Sequence, residues 1–201
     1  MISHEYKCIF VHINRCAGSS VEHWICGKDW WEIEPQTKHL LASQARSLYR
    51  DYWDRYFKFS IVRDPIDRMI SCLKYRDYYG ISIDEHLRLS LQDYYAHFGR
   101  DVVIEHDYRF SRRESLISAK HRTGSVYGNI LDEKLDFIAT YENLENDLKY
   151  IGEAIGLKNS RPVRLEQSGE RMHPDCLHPA SRREIARLFR DDYERFDYVT
   201  A

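Results

Sequence analysis

The chain has 201 residues, enough for one domain with a sizeable hydrophobic core. Its hydrophobic fraction of 43% and charged fraction of 31% are typical of a globular protein and exclude an intrinsically disordered chain. The net charge of −2 excludes the strongly basic field of a general nucleic-acid-binding protein.

Cysteine usage and apolar runs bear on location. The five cysteines are an odd number without C-x-x-C spacing, so neither a disulfide framework nor a zinc ribbon is expected. No apolar run approaches the ~18 residues of a membrane span, and the N-terminus lacks a signal-peptide layout. We therefore expect a cytoplasmic protein. Because no repeat or Pro/Gly-rich linker is visible, residues 1–201 are expected to form a single domain.

The first predicted elements are a strand, a turn and two helices. Residues 7–13 form a continuous β-branched and aromatic run, which is typical of a buried strand. A helix is predicted from about Ser19, and another over 42–56. The apolar stripe of this second helix is predicted to consist of Ala45, Leu48, Tyr52 and Tyr56.

A second buried strand is predicted over 57–62, followed by Arg63, Asp64 and Pro65. Proline suits the first position of a helix, and the residues after Pro65 have helical core spacing. These are Ile66, Met69, Ile70 and Leu73. Residues 82–98 are also predicted to be helical, whereas 99–130 show the least clear pattern.

The last third begins with a third predicted strand over 136–141. A helix over 142–156 follows, with Gly156 as its stop signal, and 159–179 is predicted to be a loop. The final helix has an apolar stripe of Ile185, Leu188, Phe189, Tyr193 and Phe196. Because strands alternate with helices, the pattern predicts an α/β fold with a mostly parallel sheet.

A candidate anion site lies in the turn at 14–20. In open α/β sheets ligands bind beyond the carboxyl ends of strands, and the N–H groups and dipole of a helix start attract anions. Ala17 and Gly18 allow close approach of the backbone, and the planar guanidinium of Arg15 suits phosphate or sulfate. On spacing alone, a plain turn with an exposed arginine is equally open.

A second candidate site follows the second predicted strand. Arg63 leaves the end of this strand, and Ser71 lies four residues after Asp67 and three after Arg68. An arginine and a serine so placed can hold one phosphate, unless Arg63 and Asp64 only pair and cap the helix. Neither G-x-x-x-x-G-K-[ST] nor G-x-G-x-x-G occurs, which disfavours an ordinary ATPase or dinucleotide enzyme.

Together these segments resemble the sulfotransferases that use 3′-phosphoadenosine 5′-phosphosulfate (PAPS), specifically the carbohydrate-type branch, sulfotransferase family 2. The family's first motif, His-Ile-Pro-Lys-Thr-Ala-Gly-Thr-Ser, corresponds to 12–20, which read His-Ile-Asn-Arg-Cys-Ala-Gly-Ser-Ser. Its second, roughly Phe-Val-Arg-Asn/Asp-Pro and then Arg and Ser, corresponds to Ile-Val-Arg-Asp-Pro at 61–65 with Arg68 and Ser71. The stretches 38–59, 136–157 and 193–198 are similar as well, and 76–130 is mostly unmatched.

The resemblance implies a P-loop-like three-layer domain in which helices flank the sheet. It implies transfer of a sulfuryl group from PAPS to an acceptor hydroxyl, which is expected to belong to a carbohydrate or glycoconjugate, without a metal. The 5′-phosphosulfate would be held by Arg15, Cys16, Ala17, Gly18, Ser19 and Ser20. Arg63 and Ser71 would hold the 3′-phosphate, and Ser168 and Arg171 are candidates for a lid over the nucleotide.

His39 resembles the family histidine that acts as general base, and the ordinary histidine pKa of about 6.5 suits that task. The alternative is a surface or capping histidine. Arg15 would stabilise the bridging oxygen, but it replaces the family lysine and cannot donate a proton. A catalytically silent module that binds PAPS or its product, 3′-phosphoadenosine 5′-phosphate (PAP), therefore stays open, as does a kinase that would need ATP and magnesium.

Three further features carry weaker signals. The metal-ligand types in 173–178 have a spacing that matches no metal site, so none is expected there. The basic clusters at 111–115 and 182–184 are either solvated faces or steer an anionic acceptor. The pair Trp30 and Trp31 is either core or a platform for a sugar. No nucleic-acid or membrane-spanning partner is expected, and the oligomeric state is open.

Overall fold

The computed structural model describes residues 1–68, 70–71, 125–157 and 179–198. They fall into two compact units, one with 1–63 and 129–157 and the other with the remaining described residues. The predicted helix at 82–98, the stretch 99–124 and most of the predicted loop at 159–179 lie outside the described residues, as do Ser168 and Arg171. The expectation of a single domain stays a prediction.

The first unit contains a four-stranded sheet with the order β1-β2-β3-β4. Its strands are β1 (Ile2–Ser3), β2 (Cys8–Val11), β3 (Phe57–Val62) and β4 (Phe137–Thr140). β2, β3 and β4 run parallel, and β1 pairs with β2 in the antiparallel direction. The predicted α/β fold with a mostly parallel sheet is therefore confirmed.

The parallel strands form the core of this unit. Every residue of β2 is buried, and so is every residue of β3 after Phe57. Phe10 lies opposite Phe59 in the parallel register, and their rings stack with centroids 5.0 Å apart. A strand buried on both faces needs a continuous apolar run rather than alternation, which is why the sequence predicted β2 well.

Helices follow the strands along the chain. Those of the first unit are α1 (Gly18–Cys26), α2 (Trp30–Ile33), α3 (Ala42–Leu48), α4 (Arg50–Trp53) and α6 (Leu144–Ile155). Between α4 and α6 along the chain lies α5 (Val126–Ile130), whose first three residues belong to the second unit. α6 ends at Gly156, whose φ of 74° is the left-handed conformation that favours glycine, so the predicted stop is confirmed. Among the described residues, no helix is both long and apolar enough to cross a membrane.

The single helix predicted over 42–56 is wrong in two respects. The chain breaks at Tyr49 into α3 and α4, and Leu48, predicted to be core, is 54% exposed. Ala45 is buried as predicted, whereas Tyr52 and Tyr56 are half-buried and the large buried side chains are Tyr49 and Trp53. Both sets have helical spacing, and burial of the larger Trp53 removes more apolar surface from water than burial of Tyr52 or Leu48.

The second unit confirms the helix predicted at Pro65. Residues 65–68, 70 and 71 are helical, and Ile66 and Ile70 are buried as predicted. The carboxylate of Asp64 caps this helix, since its Oδ1 accepts hydrogen bonds from the backbone N–H groups of Ile66 and Asp67, both at 2.9 Å. The capping role left open for Asp64 is therefore real.

The predicted last helix is divided into α7 (Pro179–Leu188) and α8 (Arg190–Arg195), with a break at Phe189. Ile185, Phe189 and Tyr193 are buried, as the stripe predicted. Pro179, predicted to be the last residue of a loop, is instead the first residue of α7.

Candidate functional site

The candidate phosphate loop runs from the end of β2 to the start of α1. Arg15 and Ala17 both have left-handed backbone conformations, with φ of 65° and 62°. Each costs a non-glycine residue roughly 1–2 kcal/mol, and such strain is concentrated at binding and catalytic sites. The loop therefore has a strained backbone where the sequence predicts an anion site.

Gly18, the first residue of α1, lies directly against the imidazole of His12. A Cβ atom at position 18 would overlap the ring, its nearest contacts being the Nε2, Cδ2 and Cε1 atoms of His12. The sequence suggests close approach of a ligand as the reason for this glycine. The structure adds a second reason, because the side chain that directly follows β2 and the first turn of α1 meet here without space for a Cβ atom.

A buried carboxylate lies one helical turn beyond the loop. Glu22 of α1 is completely buried, and both of its oxygens are used. Its Oε1 accepts a hydrogen bond from Nδ1 of His12 at 2.6 Å, and its Oε2 accepts from Nζ of Lys38 at 2.8 Å and from the backbone N–H of Trp30 at 3.0 Å. The carboxylate therefore connects β2, α1 and the segment after α1.

Lys38 extends this network towards the loop. Its side chain is only 2% exposed and forms a second ion pair with Asp29. Its Nζ also donates to the Ser19 hydroxyl at 3.4 Å. Asp29 in turn caps α2 by accepting from the backbone N–H of Trp31 at 2.8 Å. The ammonium thus joins the first turn of α1 to the start of α2.

The network holds Glu22 charged and His12 neutral. Burial by itself raises the pKa of Glu22, but His12 and Lys38 together outweigh it and bring this pKa below its ordinary value. Burial lowers the pKa of His12, and the neighbouring Glu22 carboxylate opposes this effect only in part. A neutral His12 with its proton on Nδ1 is the form that donates to Glu22.

His39, the predicted general base, is buried beside His12. Its Nδ1 lies 3.3 Å from the backbone carbonyl oxygen of His12, and the two imidazole centroids are 4.5 Å apart. A carbonyl oxygen only accepts hydrogen bonds, so Nδ1 of His39 must carry the proton. The basic nitrogen of the neutral His39 ring is then Nε2.

Arg63 leaves the end of β3 and reaches the neighbouring loop. Its Nη1 donates to the backbone carbonyl of Arg15 at 3.4 Å, and its guanidinium lies 4.1 Å from the ring centroid of Tyr141. β2 and β3 are adjacent parallel strands, so their carboxyl ends meet at one edge of the sheet. The two motifs found in the sequence therefore bring Arg15 and Arg63 together at this edge.

The remaining predicted site residues that the structure describes are all buried or half-buried. Cys16 is buried, and its thiol lies 3.6 Å from the carbonyl oxygen of Asn14. Ala17, Ser19 and Ser20 are half-buried in the loop and the first turn of α1. Ser71 belongs to the second unit, where it is buried on the helix that begins at Pro65.

The two tryptophans differ in burial, and the role of a sugar platform stays a prediction for Trp31. Trp30 is core, and its Nε1 donates to the Thr37 hydroxyl at 2.8 Å. Trp31 is 37% exposed, with its ring centroid 5.9 Å from that of His39.

Sequence reasoning missed Glu22 and Lys38. Their partners are distant along the chain, so no short motif contains them. One signal was present, namely an acidic residue on the face of α1 that also carries the buried Val21 and Ile25. Acidic residues are rarely buried without a partner, and a glutamate on an apolar helix face therefore predicts a buried cation nearby.

No curated protein and no solved structure matches the chain. The model of the sulfotransferase family, known as sulfotransferase family 2, matches residues 1–199, which include both motifs, His39 and the helices of the second unit. The chain therefore belongs to the sulfotransferase family.

Proposed function

We propose that this sulfotransferase takes its sulfuryl group from PAPS and transfers it to a hydroxyl of a carbohydrate or glycoconjugate. Family membership supports sulfuryl transfer to a hydroxyl-bearing acceptor. PAPS is the donor expected from the two motifs, and the carbohydrate acceptor is expected from the branch of the family that they resemble.

The observation that carries the proposal is the meeting of Arg15 and Arg63 at the carboxyl edge of β2 and β3. PAPS has two separate anionic groups, the 5′-phosphosulfate and the 3′-phosphate, and the second distinguishes it from ATP. Two anionic groups are best held by two cations, and the planar guanidinium of arginine suits phosphate and sulfate. An ordinary kinase site would not need the second one.

We assign the 5′-phosphosulfate to the loop and the 3′-phosphate to Arg63 and Ser71, as the family motifs imply. The loop would contribute Arg15, Cys16, Ala17, Gly18, Ser19 and Ser20. Ser168 and Arg171 stay candidates for a lid. The start of α1 supports the loop assignment, because the N–H groups and dipole of a helix start stabilise an anion.

The proposed reaction is an in-line transfer between oxygens, similar in logic to phosphoryl transfer. The acceptor oxygen forms a bond to sulfur, the bond from sulfur to the bridging oxygen breaks, and the acceptor proton passes to Nε2 of His39. Arg15 stabilises the negative charge that develops on the bridging oxygen of the leaving nucleotide. No step requires Arg15 to donate a proton, so the permanent charge of an arginine is compatible with turnover.

Replacement of the family lysine by Arg15 also favours a second candidate, a catalytically silent module that binds PAPS or PAP. Both candidates predict nucleotide binding, and only the first predicts transfer. The role of His39 separates them. The expected cytoplasmic location stays a prediction under either candidate.

Radiolabelled PAPS offered with a panel of unsulfated polysaccharides and oligosaccharides tests the proposal. For His39→Ala we expect kcat to fall by about 10²–10⁴-fold, the usual contribution of a general base, while the Kd for PAP changes by less than about twofold. His4→Ala, at an exposed histidine, is the matched control. PAP binding by the wild type without transfer to any acceptor would favour the silent module, and absence of PAP binding would exclude PAPS as donor.

A further inference from the structure

We infer that Glu22 is a positioning residue for His39, which it fixes against helix α1 through His12 and Lys38. The inference rests on the role proposed for His39 as general base. It extends that proposal to a carboxylate that none of the family motifs above contains and that does not touch the reacting atoms.

The first argument is geometric. His12 and Lys38 are both neighbours of His39, since the His12 carbonyl accepts from the His39 ring and Lys38 precedes His39 in the chain. Glu22 holds each of them with a separate oxygen, Nδ1 of His12 at 2.6 Å and Nζ of Lys38 at 2.8 Å. One carboxylate therefore fixes His39 from two sides.

The second argument concerns the loop. Glu22 lies on α1, whose first residues, Gly18 and Ser19, belong to the candidate phosphate site. Lys38 contacts the Ser19 hydroxyl at 3.4 Å, and His12 lies against Gly18. The contacts that hold His39 therefore also hold the first turn of α1, and the distance between base and donor site depends on them.

The third argument is electrostatic. Glu22 is completely buried and Lys38 almost so, and a charge in such a place is tolerated only when it is paired and hydrogen-bonded. Among the described residues, loss of the Glu22 carboxylate charge leaves Lys38 with Asp29 as its remaining acidic partner. We expect the segment of Lys38 and His39 then to shift relative to α1.

Nuclear magnetic resonance of the histidine ring nitrogens tests the inference without any acceptor. The samples are wild type, Glu22→Gln and the matched control Glu32→Gln at an exposed glutamate, each near pH 8 where histidine is neutral. The His39 signals are assigned from His39→Ala. We expect His39 to carry its proton on Nδ1 in the wild type and in the control, and Glu22→Gln to show averaging between the two tautomers. Unchanged His39 signals in Glu22→Gln would overturn the inference.

A second variant covers the case in which Glu22→Gln does not fold. Glu22→Gln combined with Lys38→Met removes both charges of the buried pair, a replacement that proteins often tolerate. The positioning role predicts tautomer averaging at His39 in this double variant too. A folded double variant with wild-type His39 signals would contradict the role.

Titration of the same samples with PAP separates this inference from the proposed function. We expect the kcat of Glu22→Gln to be roughly 10–100-fold lower than that of the wild type and its Kd for PAP to rise by a smaller factor, because Glu22 itself lies outside the donor loop. In a His39→Ala background, Glu22→Gln should cause no further decrease in kcat, because the two residues act on the same step. If the wild type does not bind PAP, the proposed donor is refuted but the positioning role is not. If Glu22→Gln lowers kcat by the same factor in the wild type and in His39→Ala, the positioning role is refuted but the proposed donor is not.

Discussion

His12 occupies a position where strand, loop and helix meet. It follows β2, donates to the buried carboxylate of Glu22 and contacts the first residue of α1. Its imidazole also touches the ring of His39. A residue with this many buried partners affects stability as well as the site, and each effect has its own test.

The lowered pKa of His12 makes stability depend on pH. Unfolded His12 binds a proton at its ordinary pKa of about 6.5, whereas buried His12 stays neutral, so the unfolded state binds more protons below this pH. The contribution of His12 to the free energy of unfolding is therefore fully present above about pH 6.5. It is lost as the pH falls below this value, by at most about 1.4 kcal/mol per pH unit. Glu22, whose pKa is also lowered, adds a loss of the same sign at pH values below the ordinary glutamate pKa.

Urea unfolding at about pH 7.5 and about pH 5.5 measures this dependence. We expect His12→Gln to lose less unfolding free energy between the two conditions than the wild type, and His4→Gln, at an exposed histidine, to behave like the wild type. Parallel losses in wild type and His12→Gln would show that His12 does not titrate as argued.

The contact of Gly18 with His12 gives a prediction for the loop. Gly18→Ala should lower the free energy of unfolding by about 1–3 kcal/mol, the usual cost of overpacking, because the new methyl group overlaps the imidazole. His12→Ala makes room for that methyl group. Denaturation of the two single variants and of the double variant measures this. We expect the double variant to lose less unfolding free energy than the sum of the two single losses, and additive losses would count against the contact.

At the scale of elements, the second unit has a cap supplied by a distant helix. Asp192 of α8 is completely buried and accepts hydrogen bonds from the Ser125 hydroxyl at 3.0 Å and from the backbone N–H groups of Tyr127 at 2.9 Å and Gly128 at 3.1 Å. The carboxylate therefore satisfies donors at the start of α5, a helix too short to be stable by itself.

Removal of this cap should be costly. We expect Asp192→Ala to lower the free energy of unfolding by about 2–3 kcal/mol, since buried donors are left without an acceptor. The neighbouring Asp191→Ala is the control, and a loss of less than about 0.5 kcal/mol is expected because its pairing with Arg190 is at the surface. Thermal denaturation of the two variants checks this, and equal losses would mean that the cap contributes little.

The sequence predicted strands better than helices for a physical reason. β2 is short, buried and apolar throughout, and β3 is buried after Phe57, so the pattern of these strands is local and nearly complete. The division of 42–56 at Tyr49 and of the last helix at Phe189 depends on tertiary packing, which no helical spacing contains. β1, with two residues, is too short to produce a pattern.

At the scale of the whole molecule, the parts of the site that a motif encodes were predictable, and the parts that only the fold assembles were not. Arg15 and Arg63 follow directly from two strand-to-helix turns, and adjacent parallel strands bring such turns together. Glu22 and Lys38 meet only after α1 and α2 have packed, so the sequence did not single them out. His39 was predicted from resemblance, and its tautomer follows only from the position of the His12 carbonyl.

The central claim is that the two motifs form a donor site for a nucleotide with a 3′-phosphate. Calorimetry of PAP, 5′-AMP and magnesium–ATP with the wild type, Arg63→Ala and the exposed control Arg50→Ala tests it most directly. We predict selective binding of PAP, weakened by about 2 kcal/mol or roughly 30-fold in Arg63→Ala and unchanged in Arg50→Ala. Equal affinity of the wild type for PAP and 5′-AMP, or equal PAP affinity of the wild type and Arg63→Ala, would contradict the account.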